Sequence, residues 1–257
     1  MSAPEPAPPV SVALVQQRGD IAPGRVQLRV TDTSDAALTI TSATLSSAVL
    51  SQPGGGQTKR PVSMTPGRTV DLPVLLPAVV CERDDVSARA TVVLEQDGAP
   101  REVTLPVTDE LGVLARLSAT ACDQDAVASV ARLSATSASV GTGGAIDLRI
   151  SIDPVADATA GSLELVALRG TPLLRFPAGT ETPLDVTVRA GDHASTVTVA
   201  VVPQRCDAHA IAEDKVGTLF DLVARVDGRE VVVPLERSST VAAALLSDTA
   251  AVCGLTP

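Results

Sequence analysis

The sequence predicts an all-β protein made of two tandem sandwich domains, and three observations carry that expectation. First, the chain repeats itself. Gly24-Arg-Val-Gln-Leu-Arg-Val30 resembles Gly144-Ala-Ile-Asp-Leu-Arg-Ile150, and Pro77-Ala-Val-Val-Cys81 resembles Pro203-Gln-Arg-Cys206. Glu102-Val-Thr-Leu-Pro106 matches Glu230-Val-Val-Val-Pro234, and Cys122 matches Cys253. The matches keep their order at a nearly constant offset, as a tandem duplication with short loop insertions would. Second, apolar and polar residues alternate within each copy, the period of a half-buried antiparallel strand. Third, glycine- and proline-rich turns separate the alternating runs.

Met1 to Pro9 reads MSAPEPAPP, of which Ser2 to Pro9 has the composition of an extended tether, spanning roughly 25 Å at about 3.1 Å per residue. It carries neither a charged n-region nor an apolar h-region. The stretch resembles the start of a mature bacterial lipoprotein, in which a lipidated Cys would stand where Met1 does; a natural, unlipidated tail is the alternative.

The first module is expected over 10–125. Val26, Leu28 and Val30 alternate with Arg25, Gln27, Arg29 and Thr31. Ala22-Pro23-Gly24, Pro53-Gly-Gly-Gly56 and Pro66-Gly67 read as turns, and Asp97-Gly98 as a hairpin turn. Ala115-Arg-Leu-Ser-Ala-Thr120 recurs at Ala131 to Thr136, and both copies read as similar edge strands near the junction. The junction itself, Asp123 to Ala128, holds neither Pro nor Gly, and predicts a short link that keeps the two modules in a fixed relation.

The second module is expected over 126–257. Ile146, Leu148, Ile150 and Ile152 alternate with polar neighbours, as do Val197, Val199 and Val201. Phe220, Leu222, Ala224 and Val226 follow, then Asp227-Gly228 and Val231, Val233 and Leu235. Gly141-Thr-Gly-Gly144 and Ala190-Gly191 are turns. Asp207 to Lys215 reads as a short capped helix, and Ser238 to Ser247 as a helix or a last strand. Short strands at regular spacing, in copies of about 115–125 residues, fit a sandwich of Ig-like topology. The antibody-type signature is absent, since the chain has no Trp and its cysteines fall in the second half of each module.

Four cysteines, Cys81, Cys122, Cys206 and Cys253, allow three pairings. Pairing in sequence order, 81–122 and 206–253, would staple each module once, with an entropic gain of about 4 kcal/mol each. Such bridges belong outside the cytosol; four buried reduced thiols are the alternative. Cores of Val, Leu, Ala and Ile bury less area per residue than aromatic ones, which gives the staples a purpose.

Composition narrows the partners. The 257-residue chain has a formal charge of −10, and its aromatic content is two Phe with no Trp or Tyr. Single-stranded nucleic acid is bound on aromatic platforms and duplexes on basic surfaces, so no nucleic-acid partner is expected. Sugars usually stack on exposed rings, which are scarce here. No apolar stretch approaches the roughly 18–20 residues of a spanning helix, so membrane association is expected only through a lipid anchor.

The best local cluster follows Cys206: Asp207, His209, Glu213 and Asp214. On a helix His209 and Glu213 share a face, which makes Asp207, His209 and Glu213 the candidate metal ligands. A cap at Asp207 with solvated neighbours is the competing reading. The matching place in the first copy has Glu82, Asp84 and Asp85, without the spacing of a calcium loop. His193, two residues before Ser195, reads as an exposed turn residue, because neighbours in one turn do not make a relay. No G-x-S-x-G elbow is present, and Gly141 to Gly144 lacks the Lys of a phosphate loop. No catalytic residue and no cofactor is expected.

The stretch Pro203-Gln-Arg-Cys206-Asp-Ala-His209-Ala-Ile-Ala-Glu213-Asp-Lys215-Val-Gly-Thr resembles a segment of uncharacterised secreted or lipid-anchored actinobacterial proteins. The GC-rich composition, with two Lys and no Asn, agrees with that origin. The resemblance implies an extracytoplasmic, cell-envelope location and brings no activity with it. Taken together, the sequence predicts a non-enzymatic envelope protein that works by protein–protein contact with an envelope or extracellular partner. An extracytoplasmic metal-ion or small-ligand binding protein using Asp207 to Asp214 is the alternative.

Overall fold

The computed structural model describes residues 7–255 apart from 22, 97, 157–160, 214 and 215, with backbone only at 56–60, 142, 210 and 213. Most of the tether, Ala22 and Asp97 of two expected turns, and Asp214 and Lys215 of the expected helix lie outside the described residues. The chain divides into two compact units, Met1–Cys122 and Asp123–Pro257.

The first unit runs β1 (Val10–Val15), β2 (Arg25–Asp32), β3 (Leu38–Ser47), β4 (Gly54–Met64), β5 (Thr69–Leu75), β6 (Ala88–Gln96) and β7 (Ala99–Pro106). A three-stranded sheet β1-β2-β5 faces a four-stranded sheet β4-β3-β6-β7, all antiparallel. This is an Ig-like sandwich whose fourth strand stays with the third instead of joining the first sheet. The alternation expected at Val26, Leu28 and Val30 points these side chains into a core with Val12, Ile40, Leu45, Met64, Val92 and Leu94.

One expected turn is a strand. Gly54 to Gly56 open β4 and pair with Leu45, Thr44 and Ala43. A Cβ at Gly54 would lie 3.1 Å from Val74 Cγ1 and 3.2 Å from the Leu75 carbonyl, so glycine serves close approach here, not chain reversal.

Helix α1 (Val113–Ala128) overturns two readings. Ala115 to Thr120 is helical, not an edge strand, and the expected link Asp123 to Ala128 is the second part of the same helix. Asp109 starts it by accepting the Val113 and Leu114 amides at 2.7 and 2.9 Å. Val113, Leu114 and Ser118 are buried while Ala115 and Arg116 are exposed, a helical spacing. The identical hexapeptide Ala131 to Thr136 lies in β8 (Ala131–Val140), where Ala131, Leu133 and Ala135 are buried at period two. A local sequence indifferent between two states takes the one its flanks impose: a capped Val-Leu start in the first case, continued alternation in the second.

The second unit continues with β9 (Ile146–Pro154), β10 (Leu163–Arg169), β11 (Leu174–Arg175), β12 (Glu181–Val188), β13 (Ser195–Pro203), α2 (Ala208–Glu213), β14 (Asp221–Val226), β15 (Arg229–Pro234), β16 (Glu236–Arg237) and α3 (Ser239–Val252). The sheets β12-β10-β14-β15 and β11-β13-β9-β8-β16 repeat the order of the first unit. Asp227 and Gly228, at φ of +48° and +84°, make the two-residue turn that joins β14 to β15. Ser238–Ser247, open between helix and strand in the sequence, is helical, with the Ser238 side chain capping the Val241 amide. Phe176 and Phe220 meet in this core, ring centroids 6.4 Å apart.

Both units end alike. After the last strand the chain crosses to the first strand and bonds to it, Thr108 with Val12 and Leu14, and Glu236–Arg237 in parallel with Ser134–Ala135. It then enters a helix with a cysteine, Cys122 within α1 and Cys253 at the C-cap of α3. Cys122 bonds Cys81, and Cys206 bonds Cys253.

Candidate functional site

The disulfides pair in sequence order, and the described chain has no free cysteine. Each bridge ties the helix after the last strand to the segment that follows β5 in the first unit and β13 in the second.

Around the second bridge, Asp207 Oδ1 accepts the His209 amide at 2.9 Å, and its carbonyl accepts the Ile211 amide, so Asp207 starts α2. Asp207 and His209 are both exposed, and the Glu213 side chain lies outside the described residues. Among the described residues no group of three His, Cys, Asp or Glu converges as a metal site would. Near the first bridge, Asp85 accepts the Ser87 amide at 2.9 Å, and the Ser87 hydrogen bonds hold its carboxyl below the usual range. His193 and Ser195 are exposed at the entrance to β13, and Asp192 accepts the Arg189 amide in the preceding turn.

A buried polar cluster escaped sequence reasoning. Asp20, 1% exposed, accepts from Arg25 Nε at 2.5 Å, from Gln27 Nε2 at 2.8 Å and from the Gln17 amide at 3.0 Å. Burial raises the Asp20 carboxyl, and the bonds from Arg25, Gln17 and Gln27 together outweigh it, holding the group below its usual range. Its role is to fasten the β1–β2 connection. The signal was present as a charged and an amide residue, Arg25 and Gln27, on one face of β2, but their partner lies in an irregular turn.

The sheet edges carry the remaining chemistry. In the β6–β7 hairpin Gln96 pairs with Ala99 across a two-residue turn. By the antiparallel alternation, Arg101, Val103 and Leu105 then bond to β6, while Pro100, Glu102, Thr104 and Pro106 turn their backbone groups outward. Those outward groups bond to no other described backbone. A groove of about 440 Å³ runs between this edge and Ala7–Pro8. On β15 the outward positions are Glu230, Val232 and Pro234. Here the end of α1 stands alongside: Asp123 pairs with Arg229 at 2.7 Å, and Gln124, Val127 and Ala128 wall a groove of about 290 Å³ against Val233 and Pro234.

No family model matches the chain, and no curated protein sequence matches it. Among solved structures, it is similar to a chaperone–tip adhesin pre-assembly complex of the Csu pili of Acinetobacter baumannii, with 10% identity over 84% of this chain and 93% of that one, at a TM-score of 0.25. The YadV chaperone aligns with 12% identity over 88% and 100% of the two chains, TM-score 0.25. A Porphyromonas gingivalis protein of unknown function aligns with 16% identity over 89% and 100%, TM-score 0.23. Likeness at this level assigns neither activity nor partner.

Proposed function

We propose that the chain is a non-enzymatic, extracytoplasmic protein-interaction module of the cell envelope, held near a membrane by a lipid-modified tether. The observation that carries this reading is the placement of the two disulfides, one per sandwich at equivalent positions. Bridges of this kind persist in oxidising compartments and stabilise small domains with modest cores. The polar side chains described above serve the scaffold: Asp20, Asp109, Asp207 and Ser238 start or fasten local elements. What such a scaffold offers a partner is its sheet edges and inter-strand loops.

The test is photo-crosslinking in the source cells, with the crosslinker placed in turn at exposed positions of both units. A reproducible protein partner is expected from at least one position. Absence of any partner from every position would overturn the reading. Non-reducing peptide mapping of protein taken from the same cells checks the compartment: both bridges should be present, and reduced thiols at all four positions would remove the extracytoplasmic assignment.

A further inference from the structure

The outer edge of β7 is where an added strand fits best, and this deepens the interaction-module reading on which it rests. We infer that β7 accepts an extended segment of a partner polypeptide as a fifth strand of the β4-β3-β6-β7 sheet, with a basic residue opposite Glu102 and an aliphatic residue opposite Val103.

Three observations support the surface. The Glu102 and Thr104 amides and carbonyls point outward without a backbone partner among the described residues. Among the described residues, the side-chain contact to these backbone groups is a long 3.3 Å bond from Arg89 to the Thr104 carbonyl, which keeps a second lone pair. An unpaired row of this kind is a template for another strand. Second, the two sandwiches differ at this place. The equivalent edge, β15, is flanked by the end of α1, clamped by Asp123 to Arg229, and its groove is the smaller of the two. Beside β7 the facing wall is the two-residue stretch Ala7–Pro8. Third, Pro100 and Pro106 stand at both ends of the outward row and donate nothing, so the acceptor is confined to the Glu102–Thr104 window. That confinement selects one short strand and discourages long, register-free pairing between copies.

The chemistry of the occupant follows from which face each β7 residue shares. A residue facing Glu102 lies on the outer face, where Glu102 and its diagonal neighbour Glu95 have no ion-pair partner among the described residues. Lysine or arginine complements them. A residue facing Val103 points inward, where half-buried Val103 packs against the first core, and an aliphatic side chain there extends that core.

The experiment uses the full oxidised chain and a capped peptide alternating lysine or threonine with valine, beside a scrambled peptide of equal composition. Backbone NMR should show the alternating peptide shifting the Glu102 and Thr104 amides and the scrambled one leaving them in place. Thr104→Pro removes an outward donor and leaves the backbone ladder to β6 in place, losing the exposed Thr91–Thr104 hydroxyl bond, and should abolish the Glu102 shift in a chain that stays folded. Glu102→Lys, an exposed change with no folding consequence, should weaken binding severalfold and do so less at high salt. Shifts elsewhere, or none, would overturn the inference. So would shifts that emerge only after deletion of residues 1–6, which would assign the edge to the chain's own beginning, or crosslinks from position 102 to a second copy. Partner crosslinks in cells from other positions but not from 102 would overturn the β7 assignment and leave the module reading standing. Crosslinks from none would remove both.

Discussion

Asp20 lies beneath the β1–β2 connection with one oxygen shared between Arg25 and Gln27. Its carboxyl is held below the usual range in the folded chain, so the stability it contributes is complete above the unfolded value, about 3.9, and is lost as the pH falls through the lower folded value. Asp20→Asn should therefore cost about 1–3 kcal/mol at neutral pH by urea denaturation, and the gap to the parent chain should close only in acid below the usual carboxylate range. Gly170 makes a second residue-scale case. A Cβ there would sit 2.7 Å from the Leu174 carbonyl, where the Gly170 amide also donates to Thr180. Gly170→Ala should cost about 1–3 kcal/mol, read as a lower denaturation midpoint. Neither residue was legible in the sequence. Asp20 sits in a short irregular turn, and Gly170 matters because the tight Thr171–Leu174 turn and the Thr180 carbonyl crowd its backbone.

At the scale of elements, alternation was readable wherever one face is buried and the other wet, as at Val26, Leu28 and Val30 or Ile146 to Ile152. It failed at Ala115 to Thr120, because the same six residues suit a helix or a strand and the choice is made outside them. Asp109 is one part of that outside. Asp109→Ala should cost about 1–2 kcal/mol and raise amide exchange at Val113 and Leu114 first. The β4 glycines were misread for a related reason: Gly54 to Gly56 carry turn chemistry, yet pairing with β3 and the crowding at Gly54 recruit them into the sheet. Of the candidate site, the cysteine pairing was legible from spacing and duplication, and Asp207 as the start of a helix was one of two readings on offer. The β7 edge was visible only as a repeat, Glu102 to Pro106, since outward and inward backbone positions depend on hairpin register.

Over the whole molecule the two staples close loops separated by 41 and 47 residues, each contributing about 4 kcal/mol by loop entropy. Replacing Cys81 and Cys122 by Ser should speed amide exchange within Val10–Pro106, and the same change at Cys206 and Cys253 should speed it within Ala131–Pro234. Chemical denaturation of the doubly reduced chain should show a loss in both units. The duplication expected from sequence order is matched by a shared sheet order, and the first unit departs from the second in one further respect: the tilted contact of Phe176 with Phe220 lies in the second core, and the first core holds no aromatic ring. A chain without Trp or Tyr has two intrinsic aromatic chromophores, and both are immobilised in the same half. Near-ultraviolet dichroism from the phenylalanine rings is thus a native reporter for the second sandwich, while the first is optically silent apart from its bridge. Where calorimetry records heat absorbed before the phenylalanine signal changes, the half that has melted is the one without rings.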